Sequence, residues 1–324
     1  LNYVIVALGG AMRVLSGQMT VGDVQAFIQY TRQFQTPFSK LSQAYSSLQS
    51  GIASLDRIYE LLDSENEIAE KKDAETDYRL KGKIAFRDVS FSYVPEKKLI
   101  EHMNLTVEPG QMVAIVGGTG AGKTTLVNLI ERFYEVNDGR IVFDDRMEIR
   151  DLTRECLRKN IAMVLQDTWV YKGTIEENLK YGLKEEITDE EFKEACRETF
   201  VDQFVSTLPE GYQTVISNEL SSLSAGEKQL LTICRAFLVK PNILILDEAT
   251  SSVDTRTEAM IDQALDKLRE GRTSFVIAHR LSTIRNADVI LVMENGHIVE
   301  QGNHRELIGA QGAYARLYQA QFEA

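Results

Sequence analysis

The stretch MVAIVGGTGAGKTTLVNLI, residues 112–130, constrains this chain more than any other. A β-branched run, Val113 to Val116, reads as a buried strand. It leads into G-x-x-x-x-G-K-T, made of Gly117, Gly118, Thr119, Gly120, Ala121, Gly122, Lys123 and Thr124, with Thr125 opening an apolar helix. This is a phosphate-binding loop in its required strand–loop–helix context. The glycines let backbone N–H groups curl around phosphate oxygens, and the helix N-terminus adds positive potential. Lys123 is expected to reach the β- and γ-phosphates, and Thr124 to ligate Mg²⁺.

Two further strand ends carry chemistry of the same kind. NILILDEATSSVD, 242–254, is an apolar strand ending in Asp247 and Glu248. An acid at such a strand end holds Mg²⁺ beside a phosphate loop, and its neighbour is placed to take a proton from an attacking water. RTSFVIAHRLST, 272–283, is another apolar strand, and it ends in His279. Alone, the acids read as a helix cap and the histidine as a structural hydrogen-bonder. Ligands in open α/β sheets sit at the carboxyl ends of the strands, so the three together point to one nucleotide site. From Lys81 onward short apolar runs alternate with amphipathic helices, the pattern of an α/β domain with a buried parallel sheet.

Upstream the pattern differs. Residues 1–15 are apolar apart from Asn2 and Arg13 and too short to span a bilayer alone. They fit the tail of a truncated membrane helix or a buried soluble one. The chain opens on Leu1 without a signal-peptide layout, and a cut end is expected there. SGQMTVGD, 16–23, reads as a turn. From Val24 to Leu62 apolar residues recur at Phe34, Phe38, Leu41, Tyr45, Leu48, Ile52 and Leu55, a one-sided helical seam interrupted only by Pro37. Such a helix is roughly 58 Å long, more than a membrane is thick. Periodicity alone favours a soluble dimerising helix over one lining a polar membrane cavity. DSENEIAEKKDAETD, 63–77, is acidic and reads as exposed linker.

Composition sets outer limits. The 324 residues are 44% hydrophobic and 26% charged, ordinary for a folded chain, and the net charge of −12 argues against non-specific nucleic-acid binding. Cys156, Cys196 and Cys234 are far apart, which excludes a C-x-x-C site and points to a reducing compartment.

The order of motifs carries a family resemblance. Residues 81–324 resemble the nucleotide-binding domain of an ATP-binding cassette (ABC) transporter. The phosphate loop at 117–124 is followed by a glutamine loop at Gln166, the signature LSAGE at 223–227, Asp247–Glu248, a D-loop at 252–254 and a switch at His279. No N-K-x-D guanine motif is present. The resemblance implies an α/β phosphate-loop NTPase fold with a helical signature subdomain. It also implies that residues 1–62 are the end of an exporter's membrane domain (a piece of the fifth helix and the sixth), with 63–80 as linker. The expected activity is ATP hydrolysis driving outward transport of a small hydrophobic or amphipathic molecule. The expected cofactors are ATP and Mg²⁺. The expected setting is a multi-pass protein of the plasma or inner membrane with its ATPase domain in the cytoplasm, without a nucleic-acid partner. The partner is a second exporter half, identical or not, closing head to tail over two ATPs.

Residue roles follow from that resemblance. Glu248, His279 and Gln166 are the expected catalytic set, and Thr124, Gln166 and Asp247 the magnesium ligands. Tyr93 matches the aromatic that stacks on adenine, with a plain surface tyrosine as the alternative. Ser224, Ala225 and Gly226 start the signature helix and are expected to meet the γ-phosphate of a partner's ATP. Asp254 is expected at the dimer interface, and Asn218–Glu219 where exporters contact the partner's membrane helices. Trp169 and Tyr171 fit either contact with an intracellular coupling helix or plain core. The sequence departs from the usual LSGGQ at Ala225 and Glu227. Glu227 weakens phosphate binding if it points at the site and changes nothing if it points away. VLQDTW, LSAG and ATSSVDTRTE resemble one half of bacterial heterodimeric multidrug exporters, and Glu248 with His279 fit the catalytically complete half. The rival readings are a regulatory module that binds ATP without turning it over, and a soluble ABC ATPase dimerising through 24–62 on a macromolecular partner.

Overall fold

The computed structural model describes residues 2–165, 168–183, 187–216, 223–247, 254–278 and 280–322. It divides into two compact units, 1–69 and 70–324.

The first unit is a helical hairpin, Asn2–Leu15 and Val21–Leu62. The long helix starts within the stretch that reads as a turn. Thr20 caps it through a reciprocal box with Asp23: the Thr20 N–H donates to the Asp23 carboxylate (2.9 Å) and Asp23 N–H to the Thr20 hydroxyl (3.3 Å). Two orphan donors are thereby satisfied one turn earlier than apolar spacing alone indicates. Pro37 lies inside the helix. The seam from Phe34 to Leu55 is exposed within this unit. Among the described residues no helix is long and apolar enough to cross a membrane.

The second unit is built on two sheets. The larger runs His297–Gly302, Val289–Glu294, Met112–Val116, Thr273–Ile277, Ile243–Asp247, Ile161–Val164, with the last five strands parallel and the first antiparallel to its neighbour. The smaller is antiparallel: Ile100–Val107, Ile84–Phe91, Asp138–Phe143 and Met147–Glu148. Side chains alternate across the large sheet. Val113, Ile115, Ile243, Ile245, Phe275 and Ile277 pack toward the small sheet, whereas Ala114, Val116, Leu244, Leu246 and Val276 pack among the helices that include Ala225–Val239. Both faces are therefore apolar, which is why these strands read as continuous hydrophobic runs.

The unit begins at Glu70, inside the stretch that reads as linker through residue 80. Glu75 exchanges backbone hydrogen bonds with Asp151 and Thr153, and Leu80 is buried, its N–H donating to the Asn160 side chain at 2.8 Å. Charged composition marks this stretch as solvated; its long-range backbone pairing leaves no local signature.

Candidate nucleotide site

Parallel register puts the chemistry-bearing strand ends on one edge. Asp247 lies opposite Ile277, and Ile277 opposite Ile115, one residue before the end of the strand that feeds the phosphate loop. Gly117, Asp247 and the segments leading to Gln166, Glu248 and His279 thus leave the sheet together. Gln166, Glu248 and His279 lie outside the described residues, as do Asn218 and Glu219. Arg280, next after His279, is held by Glu258 and Asp262 of the helix Thr255–Arg269.

The loop itself is open on one side and packed on the other. Gly118, Thr119 and Gly120 are exposed, as is Thr124 at the start of the helix Lys123–Ile130. On the packed side Gly117 (φ +153°) sits against the Met293 carbonyl, where a Cβ would overlap it. The Gly296 N–H donates to the Ala121 carbonyl at 2.9 Å. The Lys123 ammonium donates to the carbonyls of Gly117 (2.8 Å) and Gly118 (3.0 Å), spanning the loop it follows. Burial lowers the Lys123 pKa and the carboxylate of Asp247 raises it, so the cation and that acid share one neighbourhood. Thr124 and Asp247 carry hard oxygen donors of the kind Mg²⁺ prefers.

Tyr93 is half exposed at the rim. Its ring stands edge-on to Phe91 and Tyr134, both at 4.9 Å, and its hydroxyl meets Thr125 Oγ1 at 3.2 Å. The aromatic is thereby fixed to the helix that carries the phosphate loop. Phe91, two residues before Tyr93, and Tyr134, from a distant segment, position it.

Ser224 is the N-cap of Ala225–Val239 and forms a capping box with Glu227. Ser224 and Ala225 are exposed and Gly226 is buried. Asp254 caps Thr255–Arg269, accepting from the N–H groups of Arg256 (3.1 Å) and Thr257 (3.0 Å), and these bonds hold its pKa below the usual carboxylate value.

Trp169 is 55% exposed, so it is not plain core. It clusters with Tyr171 and Tyr181, and Arg235 lies over the Trp169 and Tyr181 rings. Arg235 also donates to the Trp169 carbonyl (2.6 Å) and to Asn178, a buried residue that bonds both backbone groups of Tyr171. The signature helix and the segment after Gln166 are therefore clamped by one guanidinium. A cavity of about 850 Å³ lies at the opposite ends of the strands, against Asn160, Arg235 and Asn242, and is lined by none of the nucleotide-site residues.

Glu131 ends the phosphate-loop helix and is 7% exposed, with its Oε2 buried and without a hydrogen-bond partner. Burial pushes its pKa up from 4.5 to about 7, against the opposing pull of Arg158. Below pH 4.5 folded and unfolded chains both carry this proton. Between 4.5 and about 7 only the folded chain does, so stability falls as pH rises through that window. Glu131→Gln is expected to flatten this decline and to stabilise the protein at pH 8 by about 3 kcal/mol or less. Melting temperature against pH for both proteins measures it; equal slopes overturn the assignment.

This fold and strand-end loop define a phosphate-loop ATPase. Residues 100–251 match the family model described as ABC transporter. The chain is 54% identical over 320 residues to a fatty acid ABC transporter ATP-binding/permease protein of Mycobacterium bovis, covering 99% of this chain and 50% of that one. It is 43% identical over 317 residues to an ATP-dependent lipid A-core flippase of Desulfotalea psychrophila, covering 98% and 55%. A solved bacterial Atm1-family ABC exporter with ATP bound superposes with a TM-score of 0.74 at 33% identity, over 98% of this chain and 57% of that chain. The chain belongs to the ABC transporter family and carries its ATP-binding domain behind an N-terminal helical region. It spans about half the length of the curated relatives it matches.

Proposed function

We propose that this chain is the ATP-binding and hydrolysing part of an ABC exporter half, in which residues 1–62 end the membrane domain. The observation that carries this is the phosphate loop, spanned by Lys123 at the carbonyls of Gly117 and Gly118 on the sheet edge where the strand ending in Asp247 also leaves, in a unit that also presents a capped signature helix at Ser224. The loop N–H groups and Lys123 bind the β- and γ-phosphates, and Tyr93 stacks on adenine, an interaction worth about 1–3 kcal/mol. Thr124, Asp247 and Gln166 would hold Mg²⁺, which when bound would neutralise phosphate charge. Glu248 takes the proton of the attacking water and His279 holds the γ-phosphate side of the site.

The partner is a second exporter half. Its ATP is met by Ser224, Ala225 and Gly226, with Asp254 at the shared interface. ATP binding closes the pair and hydrolysis reopens it. The exposed Trp169–Tyr171–Tyr181 face takes a helix of an exporter's membrane domain. The relatives named for a fatty acid and for lipid A-core favour an amphipathic, lipid-like molecule as the transported substrate, moved outward across the cell membrane.

Glu248→Gln tests this reading. ATP turnover is expected to fall about 100-fold, a value in the range for losing a positioned general base, while ATP binding persists. Phosphate release and equilibrium ATP binding measure the two. Unchanged turnover removes Glu248 from the mechanism, and absent turnover in the unsubstituted protein returns the regulatory reading.

A further inference from the structure

The Glu227 carboxylate folds back on the helix start. Its Oε2 accepts the Ser224 N–H at 2.7 Å and the Ser224 hydroxyl at 2.8 Å, while the Ser224 oxygen accepts the Glu227 N–H at 3.3 Å. A serine hydroxyl has one hydrogen to give. Here that hydrogen and the residue's N–H both go to the same carboxylate. Glu227 is also the one acidic residue in the first turn of Ala225–Val239, so a full negative charge sits where the helix would otherwise present about half a positive one.

We infer that Glu227 sets how tightly this signature takes a γ-phosphate, by withholding the Ser224 hydroxyl and by repelling the anion. The inference rests on the paired-ATPase reading above. A phosphate reaching this helix competes with Glu227 for the Ser224 donors, and the two anions repel. Glutamine at 227 removes the charge and keeps the cap. Its amide oxygen takes the place of Oε2 and accepts the Ser224 N–H, but as a neutral acceptor it holds the hydroxyl hydrogen less strongly, so an arriving phosphate competes for it more easily. The geometry thus makes 227 the position that grades this half's contribution to closure, independently of its own phosphate loop.

The test uses the intact protein in lipid nanodiscs, in a Glu248→Gln background that stops turnover. Fluorophores on the two ATPase units report their approach as Mg²⁺-ATP is titrated, and binding of Mg²⁺-ADP reports the phosphate loop alone. Glu227→Gln is expected to lower the ATP concentration for half-maximal approach about fivefold or more, with ADP binding unchanged. Glu227→Ala, which lacks the cap but also frees Ser224, is expected to shift it in the same direction. Approach at the same ATP concentration for Gln and for glutamate overturns the inference and leaves the paired reading standing. A purely structural cap makes Ala worse and Gln neutral, which also overturns it. No approach in any variant, with ATP bound, overturns the paired reading and the inference together.

Discussion

A protein carrying Gly296→Ala is expected to lose about 3 kcal/mol or more of stability, together with most of its affinity for nucleotide. Gly296 has φ +81°, where an L-residue costs about 1–2 kcal/mol. Its Cβ would also overlap the Leu99 carbonyl oxygen, a backbone atom that no rotamer change can move, and overpacking of that kind typically adds about 1–3 kcal/mol. The nucleotide effect follows from what Gly296 touches. Its N–H holds the Ala121 carbonyl, and its Cα is 3.4 Å from where a Cβ on Gly122 would lie. Moving this turn moves the phosphate loop. Gly110→Ala supplies the internal control: it has the same φ of +81° but no atom within 4 Å of its Cβ position. Its expected cost is the conformational part alone, about 1 kcal/mol, with ATP binding intact. Chemical denaturation and ATP affinity measured on both variants separate the two causes. Equal costs would show that overlap with Leu99 contributes nothing.

Much of the nucleotide site is legible because its signals are local. A β-branched strand, a glycine loop and an apolar helix are contiguous at 112–130, and the alternation of both sheet faces follows from unbroken apolar runs. The Ser224–Glu227 spacing announces a capping box, and the box is there. The direction in which that carboxylate points is settled by hydrogen bonds that no spacing encodes. Asn295–Gly296 joins two strands of the large sheet with both residues at positive φ. What the turn packs against comes from Leu99, in a distant strand approach. The same holds for Glu70–Leu80. Its charges read as solvated linker, whereas its backbone pairs with Asp151 and Thr153 and its last residue is buried. Tertiary pairing of this sort is invisible in a window of neighbours.

The least legible feature carries the second large effect. Glu135 is 13% exposed and receives three guanidinium groups: Arg132 at 2.7 Å, Arg154 at 3.2 Å and Arg150 at 3.3 Å. Two are buried, with Arg132 3% and Arg154 10% exposed at the side chain. Arg132 further donates to the carbonyls of Ile149 and Leu152, which ties the loop after the phosphate-loop helix to the segment carrying Arg150 and Arg154. Removing the one acid that touches all three takes the shared counter-charge from the buried Arg132 and Arg154, the latter keeping Glu70 at 3.8 Å. Glu135→Ala is therefore expected to cost about 3–5 kcal/mol, the range for breaking a buried ion pair from one side. Lys98–Glu101 is the contrast: its lysine is 75% exposed, water already solvates the pair, and Glu101→Ala is expected to leave the melting temperature near its starting value. If the cost at Glu135 reflects unpaired charge and not lost volume, Glu135→Gln, which keeps the shape and can accept from only one side-chain oxygen, is expected to recover little of it. Denaturant midpoints for the three variants decide this. A Gln variant as stable as the parent would show that packing, not charge, holds this corner of the ATPase unit together.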